Sequence, residues 1–100
     1  MKIIPKLSDL REMIGKELGF GNFVISPINI DDAFKVLKSK GVNEIKVNWN
    51  EMLTIALFVV ANIQNNSKPT HWDALQILRE GKIDKFLGVK LILYERTDTR

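Results

Sequence analysis

The sequence predicts a small α+β domain: a mixed sheet of three or four strands containing a βαβ unit, covered by about four helices. Three observations predict it. Met52 to Ile63 is a twelve-residue run broken only by Thr54 and Asn62, too short for a membrane span, which takes roughly 20 residues, and so the core helix of a folded domain. Glu44 to Trp49 and Val89 to Tyr94 alternate polar and apolar residues with period two, as half-buried strands do. Between them lie stretches with helical spacing and their own start and stop residues.

Taken in order, Lys2-Ile3-Ile4 reads as an edge strand or packed tail that Pro5 ends. Ser8, with Asp9 behind it, is an expected N-cap for a helix carrying Leu10, Met13, Ile14 and Leu18. Gly15 weakens that helix by about 1 kcal/mol relative to alanine, and Gly19-Phe20-Gly21 closes it. Phe23-Val24-Ile25, between Gly21-Asn22 and Ser26-Pro27, reads as a short buried strand. Asn29 is the expected cap of the next helix, which has Asp31 and Asp32 in its first turn, Ile30, Ala33, Phe34 and Leu37 on one face, and Gly41 at its end. Strand, helix and strand 44–49 then suggest the βαβ unit and a parallel pair.

Asn48 and Glu51 are spaced to cap the central helix reciprocally. Gln64 to Pro69 is loop-like. Thr70 and Asp73 repeat the capping pattern before a helix carrying Trp72, Leu75 and Leu78 and closed by Gly81. Phe86 to Arg96 is expected to be one long central strand with a bulge or close backbone approach at Gly88. Val89, Leu91 and Leu93 would face the core, and Ile92 and Tyr94 the opposite side. The polar tail 97–100 is expected to fray.

One hundred residues with 45% hydrophobic and 27% charged residues fit a single globular domain over 1–100. The chain has no cysteine and one histidine, which excludes disulfides, thiolate metal sites and cysteine nucleophiles. No metal, cofactor or small-molecule substrate is expected. Met1 to Pro5 lacks the apolar stretch of about 7–15 residues of a signal peptide, so a cytoplasmic location and no membrane partner are expected. His71 sits beside the Thr70 cap, Ser26 lacks a nucleophile elbow, Asp31-Asp32 complement a helix dipole, and Gly19-Phe20-Gly21 lacks the surroundings of a phosphate loop. None of these marks a catalytic site.

The net charge is +3. Lys35, Lys38, Lys40 and Lys46 form a candidate nucleic-acid patch, and Lys82, Lys85 and Lys90 a second basic group diluted by Asp84. The segment Leu78 to Tyr94, through Gly81, Ile83, Phe86, Leu87, Gly88 and Val89, resembles the late part of tailed-phage major capsid proteins of the HK97 type, where a similar pattern leads into a strand of the A domain. Phe23 to Pro27 before a helix is similar to a strand-Pro-helix passage of that domain. The resemblance implies a non-enzymatic structural role, cytoplasmic or virion-associated, as a homo-oligomer or protein-binding domain. Phe86, Leu87, Ile92 and Tyr94 are then the candidate interface. The alternative is a small nucleic-acid-binding or regulatory domain.

Overall fold

The computed structural model describes residues 3–20, 23–62, 68–81 and 83–95. Met1, Lys2, Gly21, Asn22, residues 63–67, Lys82 and residues 96–100 lie outside the described residues, and with them parts of the expected N-terminal edge strand, turn, loop and tail. Four α-helices and a three-stranded mixed sheet form the α+β domain: α1 (Arg11–Leu18), α2 (Ile30–Ser39), β1 (Glu44–Asn48), α3 (Trp49–Asn62), α4 (His71–Arg79), β2 (Lys85–Phe86) and β3 (Val89–Glu95). The strand order is β1-β3-β2, so β3 is central, as expected. β1 runs parallel to β3, with Ile45 opposite Leu91. β2 runs antiparallel to β3, with Phe86 opposite Val89.

Before α1, a 3-10 turn spans Leu7–Leu10 and buries Leu7. Ser8 lies inside this turn and does not cap it. Pro5 accepts a hydrogen bond from Lys46 N at 2.8 Å, and Lys6 forms a parallel bridge to Lys46. The segment before α1 thus lies along the outer edge of β1. Gly15 is more than a weak helix residue. A Cβ there would stand 3.1 Å from Phe23 Cβ and 3.2 Å from the Phe20 carbonyl, so its absence lets the chain fold back onto α1.

Phe23 to Ile25 is not a strand. Its backbone acceptors are taken by side chains: the Arg11 guanidinium donates to the Phe23 carbonyl at 2.9 and 3.2 Å, and Asn29 Nδ2 donates to the Val24 carbonyl at 2.8 Å. Asn29 Oδ1 also accepts from Ser26 N, so Asn29 clamps the preceding loop and makes no side-chain cap bond to α2. The parallel pair is therefore β1 with β3, linked through α3, α4 and β2. α2 buries the expected Ile30, Ala33, Phe34 and Leu37. It ends in a Schellman motif: Val42 N donates to the Leu37 carbonyl and Gly41 N to the Lys38 carbonyl, with Gly41 at φ 81°.

β1 passes into α3 without a loop. Asn48 N donates to Glu51 Oε1 and Glu51 N to Asn48 Oδ1, both at 2.8 Å. α3 buries Trp49, Met52, Ile55, Ala56 and Val60, and only Asn50 and Asn62 on it are exposed. Among the described residues no helix is long and apolar enough to cross a membrane. α4 starts from the Thr70–Asp73 capping box. It buries Ala74 and Ile77, whereas Leu75 and Leu78 are half-buried and Trp72 is 58% exposed, its ring under the Arg79 guanidinium.

The expected single strand from Phe86 is a hairpin. Leu87 and Gly88 both have positive φ, 50° and 82°, the requirement of a type I′ two-residue turn. Phe86 ends β2 and packs edge-on against Phe34 and Phe58, at 5.0 and 5.4 Å between ring centres. Leu93 leaves the core at 36% exposure; β1 still pairs with β3 there through Val47, but the two-residue β2 stops short of that level on the other side.

Candidate interaction face

Strand alternation divides the sheet. Ile45, Val47, Phe86, Val89 and Leu91 join the cluster that contains Leu7, Ile14 and the buried faces of α2 and α3. The other side presents Glu44 and Lys46 from β1, Lys85 from β2, and Lys90, Ile92 and Tyr94 from β3, because residues paired across a ladder share a face. None of these is buried, and none belongs to the core cluster. α2 and α3 pack on the sheet through its core side.

Lys6 completes this face. Its bridge to Lys46 sets it on the same side, and its ammonium stands 5.0 Å from the centre of the Tyr94 ring, within cation–π range. Two lysine pairs result. Lys6 and Lys46 lie on one flank of an apolar stripe made by Ile92 and Tyr94, and Lys90, with Lys85 opposite it on β2, lies at the near end of the stripe. Glu44, opposite Lys90, shares the face with these lysines.

The sequence-derived candidates separate in space. Ile92 and Tyr94 remain half-exposed on the open face, Leu87 projects at the hairpin tip with 44% exposure, and Phe86 is a core residue at 5%. The candidate patch of Lys35, Lys38, Lys40 and Lys46 does not form one surface. Lys35 pairs with Asp31 at 3.9 Å along α2. Lys40 bridges to Glu17 of α1 at 2.8 Å. Lys38 donates to Asn43 Oδ1 at 3.1 Å and to the Gly88 carbonyl at 3.3 Å, fastening the hairpin turn. Lys46 alone of the four lies on the open face, which it shares with Lys85 and Lys90 of the second group.

Sequence reading missed two parts of this arrangement. Lys6 looks like a tail residue until the β1-edge bridge is known. Arg11 looks like a helix-start cation, yet it holds the Phe23 carbonyl across twelve residues. Arg11 also lines a cleft of about 190 Å³ with Val24, Ile25, Asn48, Asn50, Glu51 and Thr54. The polar groups there serve the fold: Arg11 the loop, Asn48 and Glu51 the cap of α3. His71 is exposed at the start of α4, Ser26 Oγ accepts from Ile28 N in a local turn, and Gly19 caps α1 at φ 83°. Among the described residues no group of three or more His, Cys, Asp or Glu side chains comes together as a metal site would require. Comparison with known protein families, with curated proteins and with solved structures finds no match to this chain.

Proposed function

We propose that this chain is a non-enzymatic binding domain whose working surface is the open face of the sheet. The observation that carries the reading is the half-exposed Ile92–Tyr94 stripe set among four lysines on a face that no described helix buries. An apolar stripe with a charged rim is the composition of an interaction surface. The reading has the domain act in the cytoplasm or within a virion, where a cysteine-free chain loses nothing to reducing conditions.

Self-association through the same face is the second reading. It is favoured by the β2–β3 hairpin, which carries the resemblance to shell proteins. Charge opposes it, because a two-fold contact brings four lysines of one copy against four of the other, with Glu44 on each side to answer them.

Tyr94→Glu tests the proposal. On an open face the variant keeps the melting temperature of the parent to within a few degrees. In a core the same change buries a carboxylate without a partner and unfolds the domain, which would remove the face from consideration. Sedimentation of the parent protein at high concentration separates the two readings: a monomer ends the self-association reading, and a closed oligomer that Tyr94→Glu dissociates supports it over a hetero-partner.

A further inference from the structure

We infer that the partner of the open sheet face is single-stranded nucleic acid; the inference rests on the proposal that this face is the working surface. Lys6, Lys46, Lys85 and Lys90 share the face with Glu44, and this excess of positive charge is complementary to an anionic chain. The arrangement is more specific than a basic patch. Lys6 and Lys46 flank one side of the Ile92–Tyr94 stripe, and Lys90, with Lys85 opposite it, lies before the stripe at its near end. Phosphates tracking a lysine pair would leave their bases over the stripe, where an aromatic ring and a branched aliphatic side chain offer flat apolar contact. Lys6, now over the Tyr94 ring at 5.0 Å, is a flexible exposed side chain. A base can replace it there while its ammonium moves to a phosphate.

A duplex fits less well. The face is four chain segments wide, from Lys6 through β1 and β3 to β2. At about 4.8 Å per strand spacing this is roughly 14 Å before side chains are added. The major groove is about 12 Å wide, so the face cannot enter it, whereas splayed bases of a single strand lie directly on a sheet.

Fluorescence anisotropy with a labelled oligothymidylate of about 15 nucleotides tests the inference. The parent is expected to bind it more tightly than a duplex of equal length, with a log–log salt slope of about −2 to −3, since roughly 0.7 counterions are released per phosphate contacted by four lysines. The double variant Lys46→Gln/Lys90→Gln is expected to weaken binding by about tenfold or more. The control Lys16→Gln/Lys35→Gln, which removes the same charge elsewhere, should change it by less than about threefold. Tyr94→Ala is expected to weaken binding about tenfold and Tyr94→Phe to retain it, because stacking needs the ring and not the hydroxyl. Thermal melts of each variant show that it is folded.

Equal losses for the two charge pairs, tighter duplex binding, equal affinity for a poly-glutamate of matched charge, or no binding at about 100 µM protein in low salt would each overturn the inference. The two levels fail separately. A folded Tyr94→Glu together with a parent protein that does not bind the oligothymidylate leaves the face open but assigns it another partner, such as an acidic protein. An unfolded Tyr94→Glu removes the face itself.

Discussion

Leu87 holds a backbone angle that a leucine rarely adopts. Its φ of 50° precedes Gly88 at 82°, and a left-handed conformation costs a non-glycine residue roughly 1–2 kcal/mol. Its side chain is 44% exposed, so little burial offsets that cost. Leu87→Asn, which gives the Asn-Gly pair preferred in this turn, is therefore expected to stabilise the domain by about 1 kcal/mol in urea unfolding. Phe86, the neighbouring residue, behaves oppositely. It is 5% exposed and touches Phe34 and Phe58 edge-on, so Phe86→Ala is expected to cost about 3–5 kcal/mol. A cost below about 1 kcal/mol would mean that Phe86 is not the core residue described. Gly15 is constrained from outside its own helix: Gly15→Ala gains helix propensity but pushes a methyl to 3.1 Å from Phe23 Cβ. The variant is expected to melt lower than the parent despite the better helix former.

At the scale of elements, the two capping boxes set where α3 and α4 begin. The Asn48–Glu51 box joins β1 to α3 with two 2.8 Å bonds and a side chain that is 9% exposed. Asn48→Ala and Thr70→Ala are each expected to cost about 1 kcal/mol in chemical unfolding, with the half-buried Asn48 the larger of the two and the exposed Thr70 the smaller. These boxes are legible in the sequence because their signals are local: two polar residues three apart before an apolar run. The same holds for Gly41 after α2 and for the period-two alternation of β1 and β3. Phe23 to Ile25 is misread because an apolar tripeptide between turn residues looks the same whether its carbonyls meet a strand or a side chain. Arg11, twelve residues upstream, supplies that partner, and nothing local reports it. The hairpin is hidden for a related reason, since a leucine at a positive-φ position gives no turn signal. The open face is legible only in halves. Ile92, Tyr94 and Lys90 follow from alternation along one strand, whereas Lys6, Lys46 and Lys85 come from three other segments that only strand register brings together.

For the whole molecule, the two sides of the sheet divide the labour of the chain. One side, with α2, α3 and the turn before α1, holds the core that keeps the domain folded. The other carries its charge outward and contributes little burial, so substitutions there are expected to change binding more than stability. Tyr94 is the single tyrosine of the sequence and stands on that surface beside Lys6, which makes it a reporter that needs no assignment. The most direct measurement is therefore the nuclear magnetic resonance of selectively labelled tyrosine during titration with a short oligothymidylate. The account predicts that the Tyr94 ring signals shift along a saturable curve, with the same affinity that anisotropy gives and with loss of the shift in Lys46→Gln/Lys90→Gln. Ring signals that stay fixed while the oligonucleotide binds elsewhere on the protein would contradict it.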